Sequence, residues 1–160
     1  CGGGRIGRSI VESRDRARGM ATSGWGGRSF SLGVADAVTG LGRTAAQADA
    51  APTIIANAVD LPEHPAIVRY PANDLQPDSD LGAHLVTRGV GELSLHDITT
   101  ALDAGTDAAR SLLGSGLIDG AALHLQGETR VVALKNSDGI AWRPLPHGAA
   151  QTRADSLLHV

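Results

Sequence analysis

The scarcity of aromatic side chains is the feature that most constrains how this chain folds. Aromatic residues make up 2% of its 160 residues. The core must therefore be built from leucine, valine, isoleucine and alanine, and stacking platforms for nucleic-acid bases are not expected. With 42% hydrophobic residues and a net charge of −3, the composition indicates one ordinary globular domain with a sizeable core. The aromatic residues are Trp25, Phe30, Tyr70 and Trp142.

Nothing along the chain resembles a membrane-spanning or secretory segment. Apolar runs stay shorter than the roughly 18–20 residues that a spanning helix needs, and no charged segment followed by an apolar one opens the sequence. The single cysteine excludes an internal disulfide framework. We expect a cytoplasmic protein. Because the chain starts at Cys1, a fragment, a self-processed enzyme with an N-terminal nucleophile and a protein anchored through a lipid are the alternatives.

Hydrophobic alternation predicts strands on both sides of a glycine-rich loop. Residues 5–22 alternate as one or two strands, and residues 30–34 alternate as a strand that ends near Asp36. From Thr44 onwards, an alanine-rich run predicts a helix of about four turns, capped by that threonine. Pro52 removes a backbone donor within this run, so the helix is either kinked there or begins late.

The second half of the chain mixes helix and strand patterns. Ser94 and Asp97 form a capping-box pattern that opens an amphipathic helix ending at Gly114. Residues 61–81 carry four prolines and predict an irregular, mobile loop. The strand patterns cover residues 84–90, 121–125, 130–134 and 140–142. The middle two form a hairpin through residues 126–129, and the whole pattern favours an α+β layer fold.

Residues 21–57 are the candidate site because two carboxylates stand alone in a run of small residues. Asp36 is the only charged residue of residues 29–42, and Asp49 stands among alanines. Carboxylates in such surroundings are usually paired, hydrogen-bonded or bound to metal. Asp49 and Thr53 share a helix face because they are four residues apart, and together they could bind magnesium beside ligand phosphates. The spacing also fits an ordinary capped or solvent-facing pair.

The glycine-rich loop before Arg28 allows two interpretations. Its sequence, GWGG at residues 24–27, could cradle a phosphate with backbone N–H groups while Arg28 adds positive charge. It could equally be a plain turn between strands. Ser23 has no histidine close in sequence, so it is more simply a hydroxyl that bonds its own loop than a nucleophile. The six histidines show no metal-ligand spacing.

Three motifs occur in order within this run. They are Thr22-Ser23-Gly24, Ala35-Asp36 with Thr39-Gly40, and Ala48-Asp49-Ala50-Ala51-Pro52-Thr53. This series resembles the ApbE-like proteins, the FAD:protein FMN transferases, which use magnesium to move FMN from FAD onto a threonine of a target protein. The resemblance implies that Asp49 and Thr53 are metal ligands and that Asp36 is the catalytic carboxylate. The cofactor-binding candidates are Thr22, Ser23 and Gly24 from the first motif and Arg28 from the loop.

A closer resemblance is to an uncharacterised bacterial and archaeal family related to those transferases. Its members share ATSGW, GRSFSLG-ADAVT and ADAA-T-IANAV, and some carry the label 6-hydroxynicotinate reductase. The resemblance implies an ApbE-like, T-fold-like antiparallel sheet with packed helices. Residues 1–143 would be the C-terminal part of this incomplete domain, and residues 144–160 a loosely attached tail. Leu32 and Gly33 stand where the transferases have a histidine, and Ala37 replaces their proline.

Three functions are open on the sequence. The first is magnesium-dependent binding or transfer of FAD, FMN or another phosphate-bearing ligand, as a transferase of the FAD:protein FMN transferase type. The second is a non-catalytic binding or oligomerisation module. The third is a self-processed amide hydrolase with Cys1 as nucleophile. The expected partners are a small phosphate-bearing ligand and a second copy of the chain, with no nucleic acid and no membrane span.

Overall fold

The computed structural model describes residues 18–133 and the backbone of two short flanking strands. The helices are α1 (Ala45–Ala58), α2 (Ala72–Leu75) and α3 (Leu95–Gly114). The strands are β1 (Gly7–Arg8), β2 (Gly19–Ser23), β3 (Ala37–Gly42), β4 (Ile67–Pro71), β5 (Leu85–Val90), β6 (Gly120–Leu125), β7 (Glu128–Ala133) and β8 (Arg143–Pro144). None of the helices within the described residues is long and apolar enough to cross a membrane.

A four-stranded antiparallel sheet in the order β2-β3-β6-β7 forms the centre of the fold. α1 packs on β2 and β3, α3 packs on β6 and β7, and the two helices contact each other. Paired residues of antiparallel strands share a face, so Ala21, Gly40 and Ala121 form one row on the helix side. β4 and β5 form a separate hairpin, and β1 pairs with β8. The predicted α+β class with an antiparallel sheet is confirmed.

Three glycines allow α1 to lie directly on the sheet. A Cβ at Gly40 would be 2.9 Å from Cγ of Pro52, and one at Gly42 would be 2.7 Å from the backbone nitrogen of Ala48. A Cβ at Gly19 would be 2.9 Å from the Cβ of Ala48. Pro52 is fully buried, with its ring in the space that Gly40 leaves. The proline in the middle of α1 is therefore a packing residue.

α1 begins at Ala45, directly after Thr44, the capping residue that the sequence predicts. Thr44 accepts a hydrogen bond from the backbone N–H of Gln47 at 3.2 Å, which satisfies one of the free donors at the helix start. The helix runs from Ala45 through Pro52, so the alternative of a late start is wrong. Its 14 residues confirm the predicted length of about four turns.

The core between the sheet and the two helices is aliphatic, as the scarcity of aromatic residues predicts. Ile55, Leu102 and Leu123 are among its largest fully buried side chains. No aromatic side chain is classed as buried within residues 18–133. A Cβ at Gly105 of α3 would be 2.2 Å from Cγ2 of Val59, so α1 and α3 pack too closely to admit a methyl group there.

The start of α3 confirms the predicted capping box. Ser94 Oγ accepts from the Asp97 N–H at 3.2 Å and donates to Asp97 Oδ2 at 2.5 Å. This second hydrogen bond is the main cause that lowers the pKa of Asp97 below its usual value. His64, whose Nε2 lies 3.5 Å from the same carboxylate, acts in the same direction. The helix ends at Gly114, as predicted.

The strand predicted over residues 30–34 is wrong, because this segment is a loop packed against the end of α1. The N–H of Val34 donates to the carbonyl of Val59 at 2.8 Å, so the loop bonds to the end of α1. Gly33 permits the close approach, since a Cβ there would be 2.0 Å from a carbonyl oxygen of α1. Asp36 consequently lies immediately before β3, not at the end of a strand.

Residues 61–81 contain more regular structure than the predicted irregular loop. β4 and α2 lie within this segment, because β4 finds an antiparallel partner in β5, with Ile67 opposite Val90. Pro71 is tolerated because it is the last residue of its strand. The strand predicted over residues 84–90 is confirmed as β5.

The hairpin of β6 and β7 is confirmed, with a tighter turn than predicted. Gln126 and Gly127 alone form the turn, and both have positive φ, of 42° and 92°, as a two-residue turn between twisted strands requires. Of the strands predicted over residues 5–22, β1 and β2 are found. Residues 9–17 and the strand predicted over 140–142 lie outside the described residues, and so does the tail from 145 onwards.

Replacing two glycines of α3 with alanine should have opposite effects. Alanine at Gly105 places a methyl group 2.2 Å from Val59 and should lower the free energy of unfolding, by about 1–3 kcal/mol as overpacking usually does. Alanine at Gly114 meets no atom within 4 Å, so the gain in helix propensity should leave stability equal or up to about 1 kcal/mol higher. Urea denaturation measures both. Equal stability of the two variants would contradict the close contact between α1 and α3.

Candidate functional site

Asp49 and Thr53 lie one turn apart on the exposed side of α1 next to β2, and their spacing predicts that they share one side of the helix. Both side chains are exposed. The Thr53 hydroxyl donates to Oγ of Ser23 at 3.4 Å, which links the helix to the end of β2. The structure thus places three of the predicted site residues on the same side of the sheet.

A groove runs between α1 and β2, which is at the edge of the four-stranded sheet. Its volume is about 450 Å³. Asp49 supplies the only charged side chain in its walls. The other lining residues are Gly19, Met20, Ala21, Ala45, Ala46 and Ala48. A ligand here would therefore meet backbone, small apolar groups and one carboxylate.

Thr22 is separated from the groove by the sheet itself. It pairs with Thr39 of β3, and the two hydroxyl oxygens are 2.8 Å apart. Because neighbours along a strand point to opposite faces, Thr22 points away from α1 while Ser23 points towards it. The first motif therefore contributes to two different surfaces, and the structure does not bring Thr22 together with Asp49 and Thr53.

Gly24 fixes the chain where β2 passes into the glycine-rich loop. It is buried, and a Cβ there would be 2.3 Å from the carbonyl oxygen of Asp36. The loop then turns back on itself, since the N–H of Gly27 donates to the Gly24 carbonyl at 3.1 Å. Arg28, at the end of the loop, is exposed. The close packing explains the glycine at position 24 without any ligand, and its role in cofactor binding stays a prediction.

Asp36 uses both carboxylate oxygens as hydrogen-bond acceptors. Oδ1 accepts from Nε1 of Trp25 at 3.1 Å, and Oδ2 accepts from the backbone N–H of Gln126 at 2.6 Å. Gln126 has a positive φ and lies in the turn between β6 and β7, 90 residues away along the chain. Asp36 thus connects the glycine-rich loop to that turn. Its catalytic role stays a prediction, and this structural role is one that the sequence did not reveal.

The Gln126 side chain extends this connection to the start of α3. Its Nε2 donates to the carbonyl of Gly91 at 2.7 Å, and its Oε1 accepts from the N–H of Leu93 at 3.0 Å. Gln126 therefore joins three segments: its own turn, the chain at Asp36 and the residues just before α3. The sequence predicts the hairpin that contains Gln126, but it does not reveal these contacts, which join distant segments.

The donor set at Asp49 and Thr53 suits a cation that is shared with a ligand. Within the described residues, no group of three or more histidine, cysteine, aspartate or glutamate side chains could hold a metal ion. Magnesium, however, commonly uses one or two protein ligands and completes its octahedron with waters and phosphate oxygens. Asp49 and Thr53 therefore fit magnesium held together with a phosphate.

One carboxylate is buried within residues 18–133, and the sequence analysis missed it. Asp119 is 3% exposed and precedes β6, and its Oδ1 accepts from Nε of Arg43 at 3.3 Å. Its N–H donates to the carbonyl of Leu41, which ties it to the end of β3. Asp119 therefore belongs to the frame of the sheet and not to the groove at Asp49.

Asp36→Ala should lower the free energy of unfolding by about 1–2 kcal/mol, because it removes the acceptor of two hydrogen bonds. Asp49→Ala is the matched control, since it removes an exposed carboxylate and should change stability by less than about 0.5 kcal/mol. Thermal and urea unfolding of both variants provide the comparison. If Asp36→Ala is no less stable than Asp49→Ala, the carboxylate does not hold the loop and the turn together.

Comparison with known proteins assigns the family. A family model described as AbpE bacteria matches residues 3–131. No curated protein matched the chain, and no solved structure did. The matched range includes the whole candidate site, from Thr22 to Thr53, and most of the 160 residues. The chain therefore belongs to this bacterial ApbE-like family.

Proposed function

We propose that this ApbE-like chain binds a magnesium ion together with a flavin nucleotide or a similar phosphate-bearing ligand, on the exposed side of α1 next to β2. The observation that carries the proposal is the placement of Asp49 and Thr53. They are exposed one turn apart on an uninterrupted helix, and Asp49 lines the groove beside β2. A carboxylate and a hydroxyl are oxygen ligands of the kind that magnesium prefers.

The charge of the groove supports a cation as part of the ligand. Its walls contain the carboxylate of Asp49 and no lysine or arginine. A phosphate would be repelled by Asp49 alone, but a divalent ion between the two would attract both. Arg28 in the exposed loop is a further positive charge that a phosphate could use.

Ser23 would leave Thr53 ready to bind the ion. The Thr53 hydroxyl donates a hydrogen bond to Ser23 Oγ, so the lone pairs of the Thr53 oxygen remain available to bind a cation. When bound, magnesium would neutralise phosphate charge and stabilise charge that develops during transfer. Ser23 is then a positioning residue, while Asp49 and Thr53 hold the ion.

A non-catalytic module is the second candidate function. It is favoured by Asp36, whose two oxygens are both occupied by structural hydrogen bonds. Leu32 and Gly33 also stand where the resembled transferases have a histidine. Under this alternative the motifs would maintain the fold and an interface. The amide hydrolase hypothesis depends on Cys1, which lies outside the described residues and stays a prediction.

Magnesium and FMN or FAD should together raise the thermal stability of the full chain. A ligand at one hundred times its dissociation constant adds about 2.7 kcal/mol to the free energy of unfolding. Asp49→Ala should abolish the magnesium-dependent part of the shift, because it removes the only carboxylate of the groove. Asp103→Ala is the control, since Asp103 is an exposed carboxylate on α3. Absence of any shift, or an unchanged shift in Asp49→Ala, would exclude the proposed site.

A further inference from the structure

We infer that the ligand stacks a planar aromatic ring on Trp25, which makes this site selective for an aromatic nucleotide over a simple phosphate. The inference rests on the proposed function, because it places the ring beside the metal and phosphate position at Asp49 and Thr53. Asp49 and Thr53 would bind only the charged part of the ligand, whereas Trp25 would determine which ring the site accepts.

Trp25 lies close in the chain to a residue that contacts one of the proposed metal ligands. Ser23 accepts a hydrogen bond from Thr53 at 3.4 Å, and Trp25 follows Ser23 by two residues. Two residues of extended chain span at most about 7 Å. In a nucleotide, a sugar or sugar alcohol separates the ring from the phosphate. A nucleotide whose phosphate binds beside Thr53 could therefore extend its ring to the indole.

Hydrogen bonds hold the indole in one orientation. Its Nε1 donates to Oδ1 of Asp36 at 3.1 Å, and the backbone N–H of Trp25 donates to the carbonyl of Ala35 at 3.0 Å. The indole N–H is the only polar group of a tryptophan side chain, so the rest of its partly exposed surface is aromatic carbon. A ring that is already held in place loses little conformational entropy when a ligand stacks on it.

The loop after Trp25 leaves room for a ligand. Gly26 and Gly27 are exposed, and a Cβ at Gly26 would meet no atom within 4 Å. Arg28 follows and is also exposed. The loop therefore offers an aromatic surface, free space beside it and a positive charge within four residues. This combination suits a ligand that carries both a ring and a phosphate.

Three probes separate the contribution of the ring from that of the phosphate. FMN carries both, riboflavin carries the ring and its ribityl chain without a phosphate, and inorganic pyrophosphate carries only phosphate groups. Their affinities for the full chain are measured by calorimetry in the presence of magnesium. Trp25→Leu should weaken the binding of FMN and of riboflavin about tenfold, as the loss of an aromatic stack does, and leave pyrophosphate binding unchanged.

Two further variants serve as controls for folding and for loss of an aromatic ring in general. Trp25→Phe retains a ring and should keep most of the affinity for FMN. Tyr70→Leu removes a ring that is 49% exposed on β4 and should bind all three probes as the wild type does.

A chain with Trp142→Phe has Trp25 as its only tryptophan. Its fluorescence should be quenched by riboflavin in a saturable way, with or without magnesium.

The outcomes distinguish the role of Trp25 from the proposed metal site. Equal loss of FMN and pyrophosphate affinity in Trp25→Leu, or no loss of either, would overturn ring stacking while the metal site stands. Riboflavin that neither binds nor quenches would also overturn it. If riboflavin quenches Trp25 but pyrophosphate and magnesium do not bind, the role of Trp25 is supported and the metal site falls.

Discussion

The contact between α1 and the sheet is the constraint on which the rest of the structure depends. Gly40 and Gly42 leave no side chains between them and the helix, and Pro52 fills the space over Gly40. This contact sets how far α1 lies from the edge strand β2, and so it determines the width of the groove that Asp49 lines. It also brings Thr53 within hydrogen-bond distance of Ser23. A proline that would weaken an isolated helix thus becomes the residue that positions the candidate site.

The site also depends on Asp36, which accepts hydrogen bonds from the glycine-rich loop and from the turn between β6 and β7. It holds the indole of Trp25 and the turn at Gln126 at the same time. The carboxylate that motif resemblance places in catalysis therefore has a structural role that is visible in the geometry. The two functions are compatible if Asp36 acts by orienting Trp25 towards a ligand. On this account, Asp49 and Thr53 would bind the charged part of that ligand and Trp25 its ring.

The parts of the fold that could be predicted from the sequence are those determined by local interactions. The caps at Thr44 and Ser94 bond to residues three positions later, so their patterns are visible in the sequence. Residues 30–34 alternate like a strand, but their hydrogen bonds go to distant residues, and the positions that they bury are Ser31, Gly33 and Val34 and not Phe30 and Leu32. The same distinction holds at the site. The spacing of Asp49 and Thr53 places them on one face, whereas the contact of Asp36 with Gln126 depends on tertiary structure.

The central claim, that a divalent ion binds on the side of α1 next to β2, is tested most directly by NMR with manganese in place of magnesium. Manganese accepts the same oxygen ligands and broadens the signals of nearby amides. In the presence of FMN, the account predicts that the amide signals of Ser23, Asp49 and Thr53 disappear first, while that of Val131 on β7, at the opposite edge of the sheet, is affected least. Broadening centred on the acidic segment 74–80, with the signals of α1 unchanged, would contradict it.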